Sequence, residues 1–168
     1  MWCERVIRNV PDGNFAGKDV DFIDICWDEC RSVLKKRSRA GEEVRVLLDR
    51  KERLRHGDVL FEDERRAMVI NVLPCEVIVV RSESAEALAN LAFDLGNLHW
   101  PTQIAESELI FIEEEKAMQA VERSGLPWSR QSRRFDPLPV KATPLRISEN
   151  VQILRSRDSR LGSTKISP

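Results

Sequence analysis

Residues 84–103 read SAEALANLAFDLGNLHWPTQ and contain a predicted helix together with the residues that end it. Four apolar residues recur at three- and four-residue steps, which predicts an amphipathic helix with one apolar stripe: Leu88, Leu91, Ala92 and Leu95. Gly96 and Asn97 can adopt the left-handed conformation that closes a helix, and Pro101 prevents the helix from resuming. We therefore expect His99 to lie on a short, stiff connection just past the end of the helix.

His99 is one of only two histidines in the chain. A neutral imidazole at a fixed exposed corner is a good ligand for nickel, copper or zinc. One imidazole is a poor metal site by itself. It becomes useful when further donors converge on it, for example His99 of a symmetry-related subunit. A histidine near a helix end is also commonly a partner of the helix dipole. From these residues alone, both interpretations stay open.

A resemblance to a known family bears on this choice. Residues 91–104 resemble the signature of the UreE family, the urease accessory nickel chaperones, in which a helix ends in Leu-Gly-Asn-x-His followed by an apolar residue, a Pro and a Gln. Trp27 with the basic segment 31–39 is similar to the family's Trp-then-basic strand, and residues 56–63 are similar to its Asp-Gly-Asp-Val-Leu turn. Residues 1–136 are covered in matching order, and the chain is identified as a member of this family.

The resemblance implies a non-enzymatic metallochaperone that delivers Ni(II), with zinc as the alternative ion, for assembly of the urease active site. It implies a homodimer joined through the second domains, with His99 of both subunits at the two-fold axis. Trp100, a large aromatic beside His99, is our first candidate for the dimer interface. The implied partners are the urease apoprotein and its accessory GTPase complex. Many relatives carry a later histidine or a histidine-rich tail, whereas no histidine follows His99 here.

Composition narrows the function classes. Lys plus Arg number 27 and Asp plus Glu number 28, a balance that argues against a general nucleic-acid binder. Acidic residues outnumber basic ones in residues 75–136, which favours cationic ligands. No apolar run approaches the roughly 18 residues of a membrane span, and the first residues do not resemble a secretory signal. The four cysteines show no disulfide or zinc-ribbon spacing, so we expect a cytoplasmic protein with reduced thiols and no membrane partner.

Residue patterns divide the chain into three parts and predict an α+β fold. Residues 1–74 read as short alternating strands with turns between them, typical of a small all-β domain that binds a peptide or protein partner. After Pro74 the predicted order over residues 75–136 is βαββαβ, the ferredoxin-like plan expected to carry the metal site and the dimer interface. Residues 137–168 contain scattered Pro, Ser and Arg, and we predict a disordered tail there.

Other candidate ligands are weaker. His56 lies in a predicted turn, and we interpret it as a solvated turn residue. Cys26, Cys30 and His56 could be imagined as a soft-metal trio, yet free cysteines commonly pack in apolar surroundings. Residues 113–115 are three glutamates at a position where some relatives place extra histidines. An acidic first turn that favours the helix dipole is the commoner explanation.

Four further interpretations concern the charge and the function of the chain. The basic residues of segment 31–39 are interpreted as a solvated charged face. The chain has no Ser-His-Asp order and no phosphate-binding glycine loop, which predicts that it is not an enzyme. A protein-interaction scaffold, in which the β domain does the binding and metal has no physiological role, is the main alternative. An RNA-binding ferredoxin-like domain would need exposed aromatics on its sheet, where the predicted residues are mostly aliphatic.

Overall fold

The computed structural model of the chain describes residues 1–138, so the predicted disordered tail lies outside the described residues except for Pro137 and Leu138. Seven strands form the first half of the molecule: β1 (Trp2–Cys3), β2 (Arg8–Asn9), β3 (Asp19–Ile25), β4 (Val33–Arg37), β5 (Glu43–Leu47), β6 (Asp58–Glu62) and β7 (Arg66–Val72). They build one sheet of order β1-β5-β4 and a second of order β2-β6-β7-β3.

The two sheets bury their inner faces against each other. Strand β5 alternates buried valines with more exposed charged residues, and its Val44 and Val46 share one apolar core with Ile23, Ile25 and Ile70 of the other sheet. This alternation is what a half-buried strand requires. The first half is therefore a small β sandwich, as the strand pattern predicts.

The second half is a four-stranded antiparallel sheet with two helices. Its elements are β8 (Cys75–Arg81), α1 (Ala85–Asn97), β9 (Thr102–Ala105), β10 (Glu108–Phe111), α2 (Glu115–Ser124) and β11 (Trp128–Arg133). The strand order is β11-β8-β10-β9, and every pairing is antiparallel. This is the ferredoxin-like βαββαβ plan, and the predicted α+β fold is confirmed.

Both faces of this sheet are covered. Ile78 and Val80 of β8 pack beneath the two helices with Leu91 and Leu95, whereas the alternate residues of β8 face Phe135 on the opposite side. The last four residues of β8 before Arg81, residues 77–80, form an unbroken apolar run because both faces of the strand are buried there. The division of the chain at Pro74 and the domain roles assigned to each part stay predictions.

Residues 134–138, which we call the connecting segment, hold the two halves together. Phe135 is buried and packs edge-to-face on Trp27 of the sandwich, with ring centroids 5.1 Å apart. The guanidinium of Arg53 pairs with the Asp136 carboxylate and donates to the Pro137 carbonyl. Because these contacts are both apolar and charge-assisted, the segment ties the sandwich to the ferredoxin-like unit.

The connecting segment also contacts the edge strand of the second sheet. The backbone N–H of Leu138 donates to the Thr102 carbonyl at 2.9 Å, and the N–H of Asp136 donates to the Gln103 side chain at 2.9 Å. One chain segment thus contacts the sandwich and the strand that begins three residues after His99. Among residues 1–138, none of the helices has the length and apolar character needed to cross a bilayer.

One predicted helix end is wrong. Helix α1 continues through Gly96 and Asn97 in right-handed conformation, and Leu98 at its end is still right-handed, with φ −79° and ψ −4°. The left-handed residue is His99, with φ 55°. It is the one non-glycine residue of positive φ in the described part of the chain. The candidate ligand itself therefore ends the helix.

Candidate metal centre

The backbone at His99 forms a Schellman motif. The N–H of His99 donates to the Gly96 carbonyl at 3.0 Å, and the N–H of Trp100 donates to the Leu95 carbonyl at 3.1 Å. These are the two bonds that define the motif, with His99 at the left-handed position. Leu95 is buried, and Trp100 packs against the same apolar cluster, which supplies the hydrophobic contact that accompanies such an ending.

This contact explains why the helix does not end at Gly96. If Gly96 were the left-handed residue, the two residues in the hydrophobic contact would be Ala92 and Asn97, and Asn97 is polar. Ending the helix at His99 instead brings Leu95 and Trp100 together. Burial of the large indole outweighs the conformational cost of a left-handed histidine, which is about 1 kcal/mol. The glycine was the stronger local signal, and tertiary packing overrode it.

Hydrogen bonds within the chain hold the residues that follow His99. The indole Nε1 of Trp100 donates to the Ile112 carbonyl at 2.7 Å, and the Thr102 hydroxyl donates to the Trp100 carbonyl at 3.0 Å. Trp100 is half-buried within its own chain. Its predicted role in a dimer interface stays a prediction, and the face that it uses to pack on the helix is already occupied.

His99 is exposed, as are the three residues before it. Large apolar side chains are exposed close to it in the sequence: Leu98 is 38% exposed and Phe93, on the outer side of α1, is 69% exposed. Within residues 1–138, no three His, Cys, Asp or Glu side chains are grouped so that they could hold a metal ion. His99 thus offers one well-positioned nitrogen donor per chain.

His56 is not a solvated turn residue, although the predicted turn at His56–Gly57 is present. Its imidazole is half-buried, and its Nδ1 accepts a hydrogen bond from the Val72 backbone N–H at 3.3 Å. Burial, reinforced by the charge of Arg134, lowers the pKa of this histidine. Gly57 has φ 82°, and a Cβ there would meet the Pro11 backbone at 2.7 Å, so the turn requires glycine. The imidazole is a packed structural group.

The soft-metal trio is not assembled. Cys30 and His56 line one cavity, but Cys26 is exposed and does not line it. Burial raises the pKa of the Cys30 thiol to about 11. Because a cysteine binds metal as its thiolate, this shift makes Cys30 a poor ligand near neutral pH.

The charged candidates have structural partners. Glu113 pairs with Arg130 at 2.6 Å, and the Glu114 side chain accepts from the Ala117 backbone N–H at the start of α2. The explanation by helix stability is therefore supported for Glu114, whereas Glu113 pairs with an arginine of β11. In the basic segment, Lys36 pairs with Glu29 and Arg39 with Asp24, each at 2.8 Å. That segment is a charged surface whose basic side chains form ion pairs with acidic neighbours.

Sequence reasoning missed two features of the site region. One is the left-handed conformation of His99. Two apolar residues five positions apart, Leu95 and Trp100, are the sequence signal for a Schellman ending with its left-handed residue at position 99. The other is the connecting segment, whose Phe135 packs against the face of the sheet opposite the helices. The fold and the site define an α+β protein, a β sandwich followed by a ferredoxin-like unit, that presents one exposed histidine at a helix ending.

Comparisons with known proteins assign this architecture. Residues 75–149 match the family described as UreE urease accessory protein, C-terminal domain, and residues 4–73 match the corresponding N-terminal domain. The chain belongs to the UreE family of urease accessory proteins, as its motifs predict. Because this family consists of accessory chaperones, the prediction that the chain is not an enzyme is also confirmed.

Individual proteins of known family that resemble the chain support the same family assignment. The chain is 36% identical over 145 residues to the urease accessory protein UreE of Bacillus cereus, covering 84% of this chain and 95% of that protein. It is 32% identical over 140 residues to that of Acetivibrio thermocellus, covering 82% and 92%. The corresponding Helicobacter pylori protein is 31% identical over 114 residues, which cover 66% of this chain and 67% of that protein.

Proposed function

We propose that this protein is a nickel metallochaperone that binds Ni(II) through His99 and delivers it for assembly of the urease active site. The observation that carries the proposal is the fixed, exposed position of His99 at the end of α1. Imidazole nitrogen is a good ligand for nickel, and zinc is the alternative ion for the same donor. Membership of a urease accessory family supports urease as the destination.

Nickel is the cargo of the proposed site, so the site must hold the ion and also release it. One imidazole per chain is too weak a ligand set, and a second copy of the chain contributes its own His99. The remaining coordination positions are taken by water or by carboxylates. A site with two protein nitrogens and an exposed position exchanges ligands readily, which suits transfer to another protein.

The proposed homodimer brings the ends of the two α1 helices together. Exposed apolar residues accompany His99 in the sequence, with Leu98 immediately before it and Phe93 six residues before it. Apolar side chains of this size gain free energy when a second surface covers them. Trp100 remains our first interface candidate among the residues flanking His99. The proposed partners in transfer are the urease apoprotein and its accessory GTPase complex.

Calorimetric titration of Ni(II) into the full chain tests the proposal. The expected result is about one tight ion per two chains, because a two-fold axis shares one site between two identical histidines. His99→Ala abolishes this binding, and His56→Ala, which removes the other histidine of the chain, serves as the matched control and retains it. Competition with Zn(II) measures the preference between the two ions.

Urease activation in a nickel-limited host completes the test. His99→Ala is expected to fail and His56→Ala to succeed, provided that both accumulate as folded protein. If His99→Ala binds nickel normally and activates urease, the metallochaperone assignment is wrong. The scaffold alternative is then the better account. A stoichiometry of one or more tight ions per chain would also contradict the shared site.

A further inference from the structure

A basic depression lies on the sandwich beside the connecting segment, and His99 is not among its lining residues. It consists of two adjoining cavities of about 410 and 500 Å³ that share Arg55 and Asp58 as lining residues. The loop that precedes β6 forms one wall, and the connecting segment forms part of the other. We call these two cavities together the basic groove.

Several cations in the basic groove form no ion pair with any residue of the described range 1–138. Arg50, Lys51 and Arg55 line it, are exposed, and form no salt bridge with the described residues. Arg134 lines it as well, and its only hydrogen bond within residues 1–138 is the one from its Nε to the Val72 carbonyl. Four guanidinium and ammonium groups with free donors create a local positive potential on a chain whose net charge is −1.

The carboxylates cancel this potential only in part, because five cationic side chains and three carboxylates line the basic groove. Asp58 is buried, and its two oxygens accept from the Asn9 amide and the Arg55 backbone N–H, so it holds the loop in place. Asp136 is engaged by Arg53. Of the lining acids, only Glu52 has no partner among the described residues. The side chains available to an incoming ligand are therefore mainly cationic.

The shape and lining of the basic groove favour a peptide over a nucleic acid. Two of its apolar lining residues, Val6 and Pro11, are accessible and can contact side chains of an extended peptide. Phe135 is its aromatic residue and is only 1% exposed, so no ring face is open for a base to stack on.

We propose that the basic groove is a docking site for an acidic segment of a partner protein, with Lys51 and Arg55 as its main charged contacts. This proposal rests on the proposed function in one respect, namely that the partner protein belongs to the urease maturation machinery. Binding of the acidic segment itself needs neither nickel nor His99. The sandwich then holds the partner while the ferredoxin-like unit presents the metal.

Fluorescence anisotropy with a fluorescein-labelled hexaglutamate peptide tests the basic groove in the full chain. Arg55→Glu is expected to weaken binding by about tenfold at low salt, since it replaces an attraction by a repulsion at the contact. Arg55→Lys, which keeps the charge, stays within about threefold of the wild type. The matched control is Arg65→Glu, which makes the same charge change at another exposed arginine. Arg65 lies in the turn between β6 and β7, whereas Arg55 precedes β6, so the two arginines are at opposite ends of strand β6.

The outcomes separate this proposal from its competitors. Residues 139–168 are basic and can attract the probe, but they are identical in both variants. If Arg55→Glu and Arg65→Glu weaken peptide binding equally, the proposal that the basic groove binds the peptide is wrong. If a single-stranded thymidine oligonucleotide of matched charge displaces the probe at a lower concentration than unlabelled hexaglutamate does, the basic groove is a nucleic-acid site instead. Failure of the wild type to bind hexaglutamate also rejects it. Nickel titration of Arg55→Glu is expected to be normal, so loss of the groove and loss of the metal site are distinguishable.

Discussion

The indole Nε1 of Trp100 donates a hydrogen bond to the backbone carbonyl of Ile112, 2.7 Å away, and so joins the end of α1 to the chain that follows β10. The residue immediately after the candidate ligand is thereby anchored to a different part of the ferredoxin-like unit. His99 lies between this anchor and the last turn of the helix. Its backbone has little freedom, so the direction in which the exposed side chain leaves the backbone is set before metal binds.

Trp100→Phe tests this anchor. The ring still packs near Leu95, but the Ile112 carbonyl loses its donor, and we expect the free energy of unfolding to fall by about 1–2 kcal/mol. Urea denaturation followed by circular dichroism measures the change. Trp128→Phe is the control, because Trp128 is 41% exposed and donates no side-chain hydrogen bond within the described residues. Equal stability of Trp100→Phe and the wild type would mean that the hydrogen bond contributes nothing.

His99→Gly separates stability from function. Glycine adopts φ 55° without steric cost, whereas alanine does not, so we expect the glycine variant to be about 0.5–1 kcal/mol more stable than His99→Ala. Both variants are expected to lose tight nickel binding. Urea midpoints and calorimetric titration on the same protein samples give the two readouts. An alanine variant that is the more stable of the two would contradict the left-handed conformation.

Leu98→Glu tests the proposed dimer contact. A two-fold axis near His99 places two copies of position 98 close together, and two carboxylates there repel each other in a partly desolvated contact. We expect the dimer dissociation constant to rise by about tenfold or more. Sedimentation velocity over a range of concentrations measures this change. Leu47→Glu introduces the same charge at another exposed leucine, on β5 of the sandwich, and should leave the dimer unchanged.

The Glu62 carboxylate predicts a pH dependence of stability. Hydrogen bonds from Arg8 and Lys18, each at 2.8 Å, lower the pKa of Glu62 from 4.5 to about 2. Because the folded pKa lies below the unfolded one, the ion pairs stabilise the fold fully above about pH 4.5, and the stabilisation disappears as the pH falls toward 2. The stability difference between wild type and Glu62→Gln is therefore expected at pH 7 and should vanish near pH 2.

Urea midpoints of both proteins at several pH values measure this difference. Glu64→Gln is the control, since Glu64 is exposed on the adjoining turn and has no side-chain partner among the described residues. A difference between wild type and Glu62→Gln that stays constant from pH 7 to pH 2 would exclude Glu62 as its source.

Much of the fold could be predicted because it depends on local periodicity. The alternation in β5 and the apolar stripe of α1 each follow from residues that are neighbours in the sequence, and the order of elements after Pro74 then limits the sheet to few topologies. The family motif around His99 also lies within one short segment. Each of these features can be recognised without knowing which distant residues will meet.

Tertiary structure alone decided where α1 ends, what His56 contacts and how the two halves are joined. Gly96 carries the stronger local signal for a helix ending, yet burying Trp100 against Leu95 placed the left-handed conformation on His99. His56 is packed because β7 lies beside its turn, and Phe135 is buried because Trp27 covers it from the other half of the chain. These outcomes depend on free energies of contact between residues far apart in sequence, which the local pattern of either partner does not contain.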